Sequence, residues 1–325
     1  MNKKTVDKFK GNKALVIGDV MVDKYLTGKI DRISPEAPVP IVNLQAREAR
    51  LGGAANVTLS IKALDAEPIL FSLVGEDENG ELLKSLLRKR NISDSFIHSS
   101  SFRRTTVKSR ILSSNQQILR VDEEDTHALN EKEENTLLHS ITACIAKENV
   151  SVIIFQDYNK GVLTPSLIQA VIALSKEKNI PTIVDPKKAN FWAYEGVNCF
   201  KPNLKEVKEA LNKPILIDSD SLHKIHFDLK KKLNHTASLI TLSEHGIYYA
   251  DDTEQHLIAT QPRKIADVCG AGDAVLAVVA LGLATKVSPS DLCTLANFAG
   301  GQVCEKVGVV PVEKNQLCRE LSKLG

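Results

Sequence analysis

Apolar positions fall into two rhythms along this chain. The runs KALVIG (13–18), PILFSLV (68–74), SVIIF (151–155), IPTIV (180–184) and ASLITL (237–242) are short, continuous and rich in β-branched residues. A strand with one wet face alternates apolar and polar residues, so unbroken runs predict strands covered on both faces. Between them lie GAANVTLSIKAL, ELLKSLLRKR, EENTLLHSITACIAKEN and TPSLIQAVIALSKEKN, whose apolar residues recur with helical spacing. The β-α-β-α order predicts an α/β fold: a mostly parallel central sheet flanked by helices.

Two stretches break the order. DKYLTGKIDRISPEAPVPIVNLQAREARL (23–51) is rich in proline and then alternates. TTVKSRILSSNQQILRVDEED (105–125) reads as a β-hairpin turning near Ser114–Asn115. Both are too polar and too strand-like for crossover helices. They predict a small β-sheet lid built from segments at about 23–51 and 103–123, with ordinary edge hairpins as the alternative. The first segment leaves the C-terminal end of the first strand, where open α/β sheets bind ligands. A lid there closes over a small molecule and excludes water.

Composition narrows the partners. The chain has 325 residues, is 43% hydrophobic and 25% charged, and shows no repeat, linker or low-complexity segment. It reads as a single domain, 1–325, with a sizeable core. A net charge of +2 argues against a nucleic-acid surface. No apolar run approaches the length of a membrane span. The basic start MNKKTVDKFKGNK lacks an apolar core and cleavage site, so it is read as a short solvated lead-in and the protein as cytoplasmic. Six scattered cysteines form no CxxC pair, which fits buried thiols in a reducing compartment.

Four constellations carry candidate chemistry. In DVCGAGDAV, Gly270, Ala271 and Gly272 precede Asp273 and an apolar helix. Glycines ahead of a helix let backbone N–H groups converge, and the helix start adds partial positive charge, which makes an anion hole. Beside a transferring phosphoryl group, Asp273 can take a proton from an attacking hydroxyl. A capped helix behind a glycine turn is the alternative. The stretch is neither a Walker loop nor GxGxxG. In RLGGAANV, Gly52 and Gly53 open another helix with Asn56 one turn in, suited to sugar hydroxyls. In FKPNLKEV, Asn203 is a helix cap with Glu206 three residues on; this is either a capping box or a carboxylate near hydrated Mg²⁺. In VIGDVMVDKY, Asp19 and Asp23 follow the first strand, as hydroxyl acceptors or as turn residues.

Taken together and in this order, these motifs resemble the ribokinase-like (PfkB) carbohydrate kinases over nearly the whole chain. GGAAN resembles the first family signature, PNLKE the Asn-x-x-Glu motif and DVCGAGD the second signature. GDVMVDKY, RISPEAPVP, LGGAANV, NQQILRVD, DYNKGVL and VDPKKANFWAYEG are similar to the heptose 7-phosphate kinases of bacterial lipopolysaccharide synthesis. The resemblance implies a ribokinase-like fold with a β lid that pairs with a second subunit. It implies ATP-dependent phosphorylation of the anomeric hydroxyl of D-glycero-D-manno-heptose 7-phosphate to the 1,7-bisphosphate.

Residue by residue, the resemblance implies Asp273 as the base and Gly270, Ala271 and Gly272 as the anion hole. Asn203, Leu204, Lys205 and Glu206 match the segment that meets ATP, with Glu206 reaching Mg²⁺ through water. Thr241, Ser243 and Gly246 match the nucleotide loop, and Asn297 flanks the adenine. Asp23, Gly52, Gly53 and Asn56 match sugar-side positions, and Asp19 and Asp157 are further substrate-binding candidates. The sugar's own phosphate needs a cationic clamp, for which Arg32, Arg120, Lys160 and Lys187 are candidates. Cys269 stands where the family usually has Thr, beside a loop that holds a monovalent cation in some relatives. Many heptose kinases continue into a nucleotidyltransferase domain, and no HxGH-type motif occurs here, so a separate nucleotidyltransferase is expected downstream. The alternatives are another PfkB sugar kinase, or a catalytically silent regulator that binds nucleotide or sugar.

Overall fold

The structure is a computed structural model describing residues 3–114 and 116–323. In chain order the strands among the described residues are β1 (Lys13–Gly18), β2 (Val20–Ile33), β3 (Pro40–Gly53), β4 (Glu67–Gly75), β5 (Ile97–Ser100), β6 (Val107–Ser113), β7 (Gln116–Glu123), β8 (Val150–Gln156), β9 (Thr182–Asp185), β10 (Cys199–Phe200), β11 (Ala237–Thr241), β12 (Ile247–Ala250) and β13 (Gln255–Ile258). They form a nine-stranded sheet, β13-β12-β11-β10-β9-β8-β1-β4-β5, and a four-stranded sheet, β3-β2-β6-β7. The large sheet is parallel except at the edge where β12 and β13 fold back antiparallel.

The unbroken apolar strands do divide their side chains between two cores. Ala14 and Val16 of β1, with Val152 and Ile154 of β8, face one core. Leu15, Ile17, Ile153 and Phe155 face the other. The first core is covered by helices Ala54–Ala63, Ala271–Ala284 and Pro289–Cys304, and the second by Glu131–Lys147, Pro165–Glu177 and Ser219–Leu233. This two-sided burial stabilises a parallel sheet and explains why its strands show no alternation.

Only Asp19 separates β1 from β2, so the chain passes from the large sheet straight into the small one. β2 and β3 pair antiparallel from Val20 opposite Gly53 to Ile33 opposite Pro40, slightly beyond the 23–51 boundaries expected. β6 joins β2 in parallel and pairs antiparallel with β7. Ser114 takes a left-handed conformation at the end of β6; Asn115, the other half of the expected turn, lies outside the described residues.

The N-terminus corrects one expectation. Val6 and Phe9 are fully buried in the first core, so the lead-in is anchored rather than solvated. Its lysines masked that short apolar pair. Among the described residues, no helix is long and apolar enough to cross a membrane. Cys144, Cys199, Cys269, Cys293 and Cys304 are free thiols.

Candidate active site

Asp273 sits at the third position of helix Ala271–Ala284, one turn past its cap Gly270, which adopts the left-handed conformation. Its carboxylate does not cap the helix. One oxygen, Oδ1, accepts from Gln156 Nε2 at 3.0 Å and from the Tyr158 hydroxyl at 2.9 Å. The other, Oδ2, accepts from Asn56 Nδ2 at 2.7 Å. Burial pushes the carboxyl up to about 6; the Asn56 and Tyr158 hydrogen bonds pull it back, Asp185 pushes it up and Lys201 pulls it down. An acid poised just below neutral and held by fixed donors is suited to general base work.

Asn56 occupies the same third position in its own helix, Ala54–Ala63, whose cap Gly53 has φ 60°. A side chain at Gly53 would overlap the Asp19 carbonyl oxygen, so both backbone angle and space call for glycine. The two helix starts thus converge on one point, where first-turn N–H groups lack intrahelical acceptors. Sequence alone gives neither Gln156 nor Tyr158 a role, although Tyr158 lies in the stretch DYNKGVL. Both lie at the end of β8, more than a hundred residues before Asp273, and no spacing rule connects them.

Asp19 lies beneath this site and is buried. Oδ2 accepts the backbone N–H of Tyr158 at 2.8 Å and of Lys160 at 3.1 Å, and Oδ1 accepts that of Val162 at 3.0 Å. Burial and the neighbouring Asp157 push its carboxyl up to about 6 against these hydrogen bonds. Three backbone donors engage this carboxylate, so it anchors the loop that follows β8. Asp157 is likewise committed, to the Asn159 N–H at 2.7 Å, the Tyr194 hydroxyl at 2.7 Å and Asn190 Nδ2 at 3.2 Å.

Asp23, near the start of strand β2, is buried and ion-paired with Arg110 of β6. It lies against Gly52, where any side chain would overlap the Asp23 carboxylate. The Arg110 and Arg50 guanidinium groups stand 5.3 Å and 4.8 Å from the Tyr25 ring centroid. Lys108, opposite Asp23 in register, pairs with Asp122 at 3.1 Å and Glu124 at 3.5 Å. Lys160 reaches the same Glu124 at 2.7 Å.

The expected clamp residues do not lie together. Arg32 is exposed near the far end of β2, away from Asp273. Arg120 is half exposed and bound to Asp122 at 2.9 Å. Arg110 and Lys108, which the sequence did not single out, stand beside Asp23 instead. Their strand read as a lid hairpin, and the inward face of a hairpin is set by pairing register.

On the opposite side, Asn203 and Glu206 form a reciprocal capping box: Glu206 N–H donates to Asn203 Oδ1 at 2.9 Å, and Asn203 N–H to Glu206 Oε2 at 2.8 Å. Glu206 Oε1 also takes Lys187 Nζ at 2.6 Å, and Lys187 spans to Asp185 at 2.8 Å. Asp185 holds a second, buried lysine, Lys201, at 2.9 Å. Burial would raise the Asp185 carboxyl, yet Lys187 and Lys201 hold it below the usual carboxylate range. Lys187, expected as a sugar-phosphate clamp, is tied on this side. Leu204 packs its side chain against the second core and Lys205 extends into solvent.

Thr241 bridges to Asn203 in parallel register at the end of β11. Ser243 and Gly246 follow in the turn into β12. Gly246 lies against the Ile258–Thr260 backbone, and Asn297 Nδ2 donates to the Ile258 carbonyl at 2.9 Å. These four expected nucleotide positions share one rim, next to Asn203. Cys269 is half-buried; its N–H donates to Asp267 at 3.0 Å, and burial with the Asp267 carboxylate pushes its thiol up to about 11. It is a neutral thiol beside the glycine turn.

A reacting group held between Asn56, Asp273 and the glycine turn would meet a base, backbone donors and two clusters of cations. Comparison with known proteins identifies the family. Residues 12–315 match the pfkB family carbohydrate kinase description. The bifunctional protein HldE of Methylobacillus flagellatus is 38% identical over 311 residues, 94% of this chain and 62% of that protein. The bifunctional protein HldE of Aliarcobacter butzleri is 40% identical over 294 residues, 90% of this chain and 61% of that protein. The chain thus spans less than two thirds of the length of these curated relatives. Phosphofructokinase-2 from Escherichia coli in complex with potassium shares the fold at a TM-score of 0.79 and 19% identity, covering 97% of this chain and 99% of that one. Arabidopsis thaliana ribokinase complexed with ribose and ATP does so at 0.74 and 16%, covering 96% and 99%. On a family match spanning nearly its whole length, this chain belongs to the pfkB family of carbohydrate kinases.

Proposed function

We propose that the chain phosphorylates the anomeric hydroxyl of D-glycero-D-manno-heptose 7-phosphate with ATP, giving the 1,7-bisphosphate. The observation that carries the reaction type is the buried Asp273 carboxylate where two helix starts converge. The relatives named HldE support the heptose. In this reading the sugar O–H proton passes to Asp273 Oδ2, the oxygen with one donor rather than two. The sugar oxygen bonds to the γ-phosphorus, the bond from γ-phosphorus to the β–γ bridging oxygen breaks, and ADP leaves. The N–H groups of the glycine turn stabilise charge on the transferring phosphoryl group.

Asp23, Gly52, Gly53 and Asn56 line the sugar side. Arg110 and Lys108 clamp the 7-phosphate, because both sit beside Asp23 on the inner face of the small sheet. Asn203, Thr241, Ser243, Gly246 and Asn297 line the nucleotide side. Mg²⁺ fits Glu206 only through water, since Lys187 and the capping box already engage the carboxylate oxygens. When bound, the ion neutralises phosphate charge. A monovalent cation is an open part of the reading. The Asp267 carboxylate beside Cys269 already accepts the N–H groups of Cys269 and Gly308.

The reading extends to a cytoplasmic reaction, a homodimer and a nucleotidyltransferase that takes the product. The outer strand of the small sheet exposes Leu119 and Val121, which a second copy would cover. Light scattering at micromolar concentration reports that pairing; a monomer rejects it. The central test is ADP release across a sugar panel. Turnover of the heptose phosphate supports the proposal. Turnover of fructose 6-phosphate or ribose without it overturns the substrate, and ATP binding without any turnover points to a regulator.

A further inference from the structure

We propose that Tyr158 is a positioning residue for Asp273, and that Asp19 acts on the reaction only by fixing the loop that carries Tyr158. This rests on the reading of Asp273 as base. The loop at 157–162 leaves β8 and is gripped from two sides. From below, the Asp19 carboxylate takes the backbone N–H groups of Tyr158, Lys160 and Val162. From behind, the buried Arg103 donates to the Lys160 carbonyl at 3.0 Å and to the His127 carbonyl at 2.9 Å. Inside the loop, Asn159 and Gly161 both take positive φ. A segment with that many backbone groups engaged has little freedom to move.

The loop directs one side chain at the base. The Tyr158 hydroxyl donates to Asp273 Oδ1, and Lys187 Nζ stands 5.8 Å from the phenol ring centroid. With Gln156 on the same oxygen, this leaves Oδ2 as the freer acceptor and sets the direction of proton transfer. The other groups facing Asp273 are Asn56 and the charges of Asp185 and Lys201. None of them belongs to the loop, so the contribution of the loop can be isolated.

Tyr158→Phe keeps the ring and removes the donor. The expected outcome is a roughly ten- to hundredfold loss in kcat, as for a hydrogen bond to a charged group, with KM for ATP within about twofold. The acid limb of the kcat/KM profile moves to higher pH, because a donor that favours the ionised carboxylate is gone. Asp19→Asn places an amide NH₂ against backbone donors and should give the same two changes. The double variant should be no slower than the slower single variant, since both act through one contact.

A second readout needs no substrate. The Asp273 carboxyl, labelled with ¹³C and assigned by its loss in Asp273→Asn, titrates at higher pH in Tyr158→Phe than in the wild type. If no sugar is phosphorylated, the functional reading fails while this titration still judges the contact. An unchanged titration and pH profile in Tyr158→Phe would overturn the proposal, as would losses that multiply in the double variant. If Asp19→Asn does not fold, Tyr158→Phe alone decides it.

Discussion

Asp273→Asn separates chemistry from burial in a single substitution. The amide keeps the side-chain volume but cannot accept the sugar proton, so kcat should fall by roughly two to four orders of magnitude while ATP affinity holds. The stability effect depends on pH. Burial raises the folded-state value to about 6 from 3.8, so the folded protein holds this proton more tightly than the unfolded chain. The associated stability is complete below the unfolded value and is lost as pH rises through the folded one. At pH 7 about nine-tenths of the wild-type carboxyl is ionised; at pH 5 about one-tenth is. Between those pH values the wild type gains about 1.4 kcal/mol that the asparagine variant cannot gain. One amide oxygen also serves three donors, at a cost of about 1–3 kcal/mol that does not vary with pH. Urea unfolding of both proteins at pH 7 and pH 5, run beside ADP release, reports each quantity. A stability difference that stays constant across that range would refute the buried-acid argument. Most of the rate surviving in the variant would refute the base.

Further outcomes follow from other contacts. Arg110→Met should raise KM for the sugar phosphate at least roughly tenfold and leave KM for ATP near its wild-type value, measured by initial rates; equal changes in both would remove Arg110 from the clamp. Gly53→Ala should cost more than about 1 kcal/mol, read as a lower melting temperature, because alanine there meets both a positive φ and the Asp19 carbonyl. Burial lowers His226 to about 4 and His235 to about 3, so their share of stability is complete above about 6.5 and is lost as pH falls. Asp19 and Asp273 act in the opposite sense below 6, so Asp273→Asn should make the acid loss steeper, as shown by the urea midpoint at pH 5.

The sequence made legible what local spacing encodes. Asp273 and Asn56 stood out because glycines preceded them at helix starts, and Asn203 and Glu206 because a capping box has a fixed interval. The central strands were legible as unbroken apolar runs. β10, only two residues long, was not, nor were β5 and β13, whose apolar residues are broken by polar ones. Gln156, Tyr158, Asp185 and Lys201 were hidden for a different reason. Their partners lie on other elements or across a register that only the folded sheet defines. The carboxylate partners of Lys160 and Lys187, Glu124 and Glu206, were hidden in the same way, because they arrive from other elements. Arg110 became visible only when pairing with β2 placed it beside Asp23.

Helix Ala271–Ala284 carries Asp273, the proposed base, and is buried along almost its whole length, from Asp273 to Gly282. It therefore also seals the first core, over the faces of β8 and β9 that hold Ile154 and Ile183. During synthesis those strands emerge long before their cover does, and the sheet must wait with one apolar side open. A nascent chain stopped short of this helix would be sticky as well as inactive. The segment proposed to carry the base is thus also part of the last-made cover of the core, with helix Pro289–Cys304 still to follow it.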